Sequence, residues 1–196
     1  MDKDERRERI IESARELFAR FGLKKTTVDE IAGKCGMSKA TLYYYFKNKE
    51  EIFKSVINKE LELFKTKVQE TLSKEKSPRE KLRAFIIARF TRLKEIANYY
   101  STINDEYLEH YAFIEKERAK FTDWEIQTIQ SILIEGVEDG IFETSDPKLT
   151  AVVITYALKG LEYPWSVERD MIDIQTAIDL MLPVFFRGIE KRSKED

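Results

Sequence analysis

One cysteine, one histidine, four prolines and seven glycines are spread over 196 residues, and each scarcity closes something off. A lone Cys35 excludes an internal disulfide and any zinc site built from cysteines. A lone His110 leaves no histidine pair for a di-metal helical site, which needs Glu-x-x-His from two helices; Tyr107 stands where the glutamate would be. Asp105, Glu106 and Glu109 beside it read as a solvated acidic helix face. No Ser/His/Asp set, glycine-rich phosphate loop or paired-cysteine motif occurs, so no enzyme activity, cofactor or metal is expected. With so few Gly and Pro the chain has few breaks, which favours an all-α fold with short connections. No apolar run approaches the length of about 18 residues that crosses a membrane. The opening MDKDERRER is too charged to hold the apolar core of a secretory signal, so a reducing cytoplasm is expected.

What is present is ample core material: 42% of the residues are hydrophobic and 12% of the chain is aromatic. The length suits one large domain, or a small one fused to a larger one. Net charge is −2, which argues against bulk coating of nucleic acid. The charge is unevenly placed. Residues 1–50 hold 12 Lys/Arg against 9 Asp/Glu, and the remainder 22 against 27. A mildly basic head on an acidic body fits one end that faces DNA and one that does not.

The most ordered signal lies in TTVDEIAGKCGMSKATLYYYFKNK, Thr26 to Lys49. Val28, Ile31, Ala32 and Cys35 make a short apolar stripe at helical spacing. Thr27 with Glu30 forms a capping box at its start, and Gly36 suits a left-handed residue past its end. Ser38 then caps a second helix that carries Lys39, Thr41, Tyr43, Tyr44 and Tyr45. Ala32 and Gly36, four apart, would let the crossing helix approach closely. Helix, tight glycine-containing turn, helix is the pattern of a helix-turn-helix. Ahead of it, Ile10, Ile11, Ala14, Leu17, Phe18 and Phe21 predict a supporting helix from Asp4, stopped by Gly22. Two short helices alone could not bury enough apolar surface to be stable.

Downstream, Asn48 reads as the cap of a long strut through Ile52, Phe53, Val56, Ile57, Leu61, Phe64, Val68 and Leu72. Ser77 and Pro78 restart the chain after a break, and Leu82 to Ile96 form a fifth helix. A shorter helix is expected over 98–110, a long one from Phe113 to about Asp139 ending near Gly140, another after Asp146-Pro147, and a last from about Asp170 to Lys191. Pro183 should bend the last. That makes about nine helices.

With IIESARELFARFG (Ile10–Gly22), TTVDEIA (Thr26–Ala32), GMSKATLYYYF (Gly36–Phe46) and KNKEE (Lys47–Glu51), the chain resembles the TetR-type (TetR/AcrR) family of bacterial transcriptional regulators. The resemblance covers about residues 5–55. It implies a DNA-binding domain over 1–47 and a ligand-binding and dimerisation domain over 48–196. It further implies a homodimer whose last two helices pair, and a small-molecule effector that releases a palindromic double-stranded DNA operator. Carried over by position, Thr27 and Val28 start the helix that rests on the DNA backbone. Lys39, Ala40 and Thr41 would enter the major groove, and Tyr43, Tyr44 and Lys49 would meet phosphates; the cap Ser38 and Tyr45, the latter partly in the core, are counted with the DNA-contacting residues. A recognition helix does contact bases with its N-terminal residues, and hydroxyls and lysines set register on phosphates. Ala40 offers apolar contact only, so part of the specificity would come from DNA shape.

Not every aromatic in YYYF can be functional, because one helix face cannot bury four consecutive residues. Leu42 and Phe46 are the expected core pair, with Tyr45 half in the core. Cys35 is expected to be a small core residue. Phe85, Phe90, Tyr100, Phe121, Trp124, Tyr156 and Trp165 could line an effector cavity or simply fill the core. Arg89, Arg92, Asn98, Asn104 and Gln127 are the candidate polar groups of such a cavity. Arg89, on an otherwise apolar stripe, is either an anion anchor or an internal ion-pair partner. An acyl or aromatic acid would suit the arginines, and a cation would suit Glu95, Asp105 and Glu106. Val153, Ala157, Gly160, Ile174, Ile178, Met181 and Phe185 are the candidate dimer face, with Ala157 and Gly160 allowing close helix approach. The rival reading is a helical protein–protein adaptor that does not bind DNA.

Overall fold

The computed structural model describes the backbone of residues 2–99, 104–167 and 174–190, and their side chains outside 92–118, 120, 161–175 and 177. Among the described residues there are eight helices, and the one extended pairing is an isolated bridge between Phe142 and Glu190. The chain divides into two compact units, Met1–Phe64 with Ile96–Ala119, and Lys65–Glu95 with Lys120–Asp196.

The first unit begins with α1 (Lys3–Lys25). It starts earlier than the apolar pattern suggests, because Asp2 and Glu5 form a capping box of their own. Gly22 is left-handed at φ 80° and kinks the helix three residues before its end, as expected of a stop signal that the chain then overruns. In α2 (Val28–Lys34) the Thr27–Glu30 box is complete in both directions. Gly36 follows at φ 64°. An added Cβ there would meet nothing nearer than an Arg9 nitrogen at 3.9 Å. The glycine therefore serves backbone conformation, and the close approach expected of it is not what requires it. Ser38 caps α3 (Lys39–Tyr45) by accepting from the Thr41 N–H at 3.1 Å. Asn48 caps α4 (Lys49–Leu72) by accepting from the Glu51 N–H at 2.8 Å.

Helices of seven residues are marginal in water, so α2 and α3 owe their stability to what they cover. Ile10, Ala14 and Phe18 from α1, Ile31 and Ala32 from α2, and Leu42 from α3 share one core with Cys35, Phe46, Ile52, Phe53 and Val56. Phe18 meets Phe53 edge to face at 5.3 Å. At roughly 1.5–3 kcal/mol for each fully buried large side chain, this cluster outweighs any single cap. Polar ties join α1 to α4 around its rim: Arg7 to Ser55 at 3.1 Å, Lys59 to Glu12 at 3.0 Å and to Glu8, and Arg15 to Glu60.

In the second unit Ser77 and Glu80 form a further capping box ahead of α5 (Pro78–Tyr99), with Pro78 at its first position. The two helices expected over 98–110 and 113–139 are one, α6 (Asn104–Glu138), which Gly140 ends at φ 69°. Asp146 caps α7 (Pro147–Val167) through the Leu149 N–H at 2.9 Å. Pro183 lies inside α8 (Ile174–Ile189) without ending it. Phe142, in the α6–α7 connection, is buried with its ring against Gly136; a Cβ at Gly136 would come within 2.1 Å of a ring carbon. Leu82, Phe85, Ile86 and Phe90 of α5, Ile129 and Leu133 of α6, Ile154 and Leu158 of α7, and Ile178, Leu182 and Phe186 of α8 are buried. No described helix is long and apolar enough to cross a membrane.

Candidate nucleic-acid interface

The core of the first unit decides which side of α3 is left outside. Leu42 and Phe46 are buried and face inward, which forces Tyr43 and Tyr44 out, 45% and 71% exposed. Tyr45 is half-buried, its ring edge-on to Tyr44 at 5.2 Å. Ser38, Lys39 and Ala40 at the helix start are exposed, and Thr41 is half-buried. Thr27 is exposed and Val28 half-buried at the start of α2. The starts of α2 and α3 and the tyrosine pair are thus all open to solvent, and a Lys39–Asp29 bond ties the two helix starts together. The Lys3 ammonium joins them, 5.2 Å from the centre of the Tyr44 ring, a cation–π placement the side-chain pattern of the sequence gives no means of finding.

Local bonds preset several of these groups. Thr41 and Ser38 share a hydroxyl–hydroxyl bond of 2.8 Å, which fixes the Thr41 rotamer while leaving lone pairs for a further partner. The Lys39 ammonium donates to an Asp29 carboxylate oxygen at 2.7 Å, and that bond, with the attraction of the carboxylate, holds its pKa above the ordinary lysine value. Lys49 differs from expectation. Its ammonium turns inward and donates to the Leu23, Thr26 and Lys24 carbonyls at 2.6, 3.0 and 3.4 Å. Cys35 is buried, its sulfur 3.8 Å from the Arg9 carbonyl, as a small core residue would be.

The capping box at Thr27 carries a pH signature. The Thr27 N–H and then its hydroxyl donate to the Glu30 carboxylate at 2.7 and 2.8 Å and hold its pKa below the ordinary glutamate value of 4.5. A lowered folded-state pKa contributes stability that is complete above the ordinary value and lost as pH falls through the lowered one. Glu30→Gln should therefore flatten the acid limb of the melting temperature below about pH 4.5 relative to the parent chain. Parallel acid limbs in thermal melts would refute this.

Of the expected effector-site residues whose side chains are described, Phe85, Phe121 and Trp124 are brought together. Phe85 and Phe90 are completely buried core, Phe121 is buried, and Trp124 is half-buried against Phe121 and Phe85 at centroid distances of 5.2 and 6.3 Å. Arg89 is an internal ion-pair partner: at 3% exposed, its Nε donates to Glu125, 1% exposed, at 2.7 Å. Two expectations are corrected. Gln127 is exposed, since it lies off the stripe of α6 that carries Ile129 and Leu133 inward. Tyr156 is also exposed, because Thr155 and Leu158 take the inner face of α7. The side chains of Arg92, Asn98, Tyr100, Asn104 and Trp165 lie outside the described residues. Among the described residues of the second unit, the buried polar ones beyond Arg89 come from positions the sequence reading passes over: Thr122, Glu125 and Thr155, with the Lys159 ammonium on the Thr122 hydroxyl at 3.1 Å.

The last two helices leave an apolar surface. Leu149, Val153 and Tyr156 on α7 and Leu180 and Val184 on α8 are each 59–71% exposed. Ala157 and Gly160 are exposed beside them, and Met181 and Phe185 are half-buried. Ile178 does not belong to this face: it is buried within its own unit, where its position one turn before Leu182 puts it on the inner stripe. Leu180 and Val184, at i, i+4 spacing, make the outer side of α8. Ile174 has no described side chain.

The pattern described as bacterial regulatory proteins of the tetR family matches residues 10–56, the span of α1, α2, α3 and the start of α4. The chain is 33% identical over 145 residues to the HTH-type transcriptional repressor KstR2 of Mycolicibacterium smegmatis, covering 70% of this chain and 67% of that protein. It is 24% identical over 184 residues to the fatty acid metabolism regulator protein of Bacillus subtilis, covering 93% and 95%. Among solved structures, a transcriptional regulator from Cytophaga hutchinsonii superposes with a TM-score of 0.78 at 26% identity, over 94% of this chain and 98% of that one. With a capped helix-turn-helix on its own small core, a helical remainder and these likenesses, the chain belongs to the TetR family of bacterial transcriptional regulators.

Proposed function

We propose that the chain is a homodimeric repressor that binds a near-palindromic operator and is released by a small-molecule effector. Residues 1–47 form the DNA-binding head and 48–196 the sensing and dimerising body. The observation that carries the DNA reading is the outward pair Tyr43 and Tyr44 beside the exposed starts of α2 and α3, held by a core that leaves them nowhere else to point. Ser38, Lys39, Ala40 and Thr41 read or line the major groove; Thr27, Val28 and the tyrosines position the head on phosphates. Two heads related by a two-fold axis require half-sites related in the same way.

Release requires the effector to bind better to the form that does not fit DNA. The named role of the Bacillus subtilis relative makes a fatty acid or its acyl derivative the first effector class to test. Enclosed in the body, its chain would need an apolar lining, of which Phe121 and Trp124 are the candidate members.

Selection from a random duplex library by the chain, followed by gel shift, tests the reading. A near-palindromic enrichment is expected, and oleate or oleoyl-CoA should reverse the shift. No enriched duplex would sink the DNA reading and favour the adaptor. Among variants, Tyr44→Phe should weaken binding about fivefold on all duplexes, the worth of roughly one hydrogen bond. Thr41→Val should instead change preference at one base pair by about 1–3 kcal/mol. Identical effects on all sequences would show the assignment of roles to be wrong.

A further inference from the structure

Lys49 is the first residue of α4, yet its ammonium reaches back to the junction of α1 and α2. The kink at Gly22 leaves the last turn of α1 short of helical partners for its carbonyls. Thr26 answers part of that shortage, its hydroxyl donating to the Gly22 carbonyl at 2.7 Å and its N–H to the same oxygen at 3.3 Å. Lys49 answers the rest, with acceptors at Leu23, Lys24 and Thr26. An ammonium has three protons, and here three carbonyls receive them. A cation at a helix C-terminus is also favoured by the helix dipole. The next residue after Thr26 is Thr27, the cap of α2. One half-buried side chain therefore touches the end of α1, the lead into α2 and the start of α4.

We infer that Lys49 is a positioning residue for DNA binding: its ammonium pins the α1–α2 junction to the start of α4, setting where α2 and α3 stand, and does not itself meet a phosphate. This rests on the DNA-binding reading above and deepens it. The two roles separate by salt dependence. A lost phosphate contact flattens the slope of log affinity against log salt by about 0.9, whereas a displaced recognition unit lowers affinity with the slope kept. They also separate by chemistry. A guanidinium serves a phosphate at least as well as an ammonium, but its planar fork cannot aim three N–H groups at these three carbonyls from one point.

The test is fluorescence anisotropy with the duplex selected by the parent chain, across a salt series, for Lys49→Met and Lys49→Arg. Both variants are expected to bind roughly tenfold more weakly, a loss of one half-buried set of charge-assisted bonds, with the parent slope. Amide exchange in the free protein supplies a readout that needs no DNA. The Thr26 and Ile31 amides, bonded to the Gly22 and Thr27 carbonyls, should exchange faster in Lys49→Arg, which retains charge and stem should the Met variant fail to fold. Parent affinity in the Arg variant, a slope flatter by about 0.9 per subunit in the Met variant, or unchanged exchange would each overturn the inference. If the parent chain selects no duplex, the DNA reading falls first and this inference with it.

Discussion

Glu125→Ala is expected to destabilise the chain by about 3–5 kcal/mol, the cost of leaving a buried charge without its counter-ion. Arg89 and Glu125 sit on α5 and α6, 3% and 1% exposed, joined at 2.7 Å. The penalty arises because the guanidinium has been taken out of water and its carboxylate partner is the group that offsets that desolvation. The net worth of the intact pair is a different quantity. Replacing both partners with apolar side chains of similar volume, Arg89→Met with Glu125→Leu, should recover most or all of the loss, since such replacements are often neutral or stabilising. Urea unfolding of the two single variants and the double variant gives the coupling directly. A Glu125→Ala cost under about 1 kcal/mol would show that the pair is not the anchor that the burial implies. The same series bears on the effector: an arginine held this way already has a carboxylate counter-ion, and a ligand acid would have to compete with Glu125.

Val184→Glu is expected to convert the proposed dimer to a folded monomer at micromolar concentration and to lower operator affinity by at least 100-fold. Five large apolar side chains on α7 and α8 are mostly exposed in the single chain. Monomeric soluble proteins seldom leave a contiguous apolar face of that kind uncovered, and covering a Val or Leu fully contributes about 1.5–3 kcal/mol. A two-fold interface presents each substituted residue twice, so one glutamate introduces two buried charges. Val184 is 71% exposed in the subunit, so its own fold should be unaffected. Sedimentation and circular dichroism separate the outcomes: a monomer with full helical content is the expected one. A variant still dimeric, or a parent chain that is monomeric, would remove this face from the interface.

Much of the head was legible because its determinants are local. A capping box is four residues long, so Thr27 with Glu30 announces a helix start wherever it occurs. Gly22, Gly36 and Gly140 mark positive-φ turns for a reason internal to the residue. Leu42 and Phe46, one turn apart, had to share a face, which sent Tyr43 and Tyr44 to the other. The body was read less well. Periodicity could not tell whether 98–110 and 113–139 were two helices or one, since no strong stop lies between them. It could place Arg89 on an apolar stripe but could not find Glu125, 36 residues away and on another helix. It assigned Tyr156 and Ile178 to the wrong faces because α7 and α8 are apolar over much of their circumference, and only the neighbouring elements decide which stripe is inside.

Lys49 shows where the two kinds of information part. Its position at the start of the fourth helix, its charge and its place in a family pattern were all readable from the chain, as was the helix-turn-helix it follows. What its ammonium touches was not, because the acceptors are carbonyls exposed by a kink at Gly22, some 25 residues earlier in the chain. Sequence by itself determined the helices of the head, their caps, the inward and outward sides of the recognition helix and the family, since these follow from spacing and short-range hydrogen bonding. Only the tertiary structure decided which charges are spent inside the fold, at Arg89 and Lys49, and which apolar stripe of α7 and α8 remains uncovered. Both depend on contacts between segments far apart in the chain, and side-chain periodicity carries no term for those.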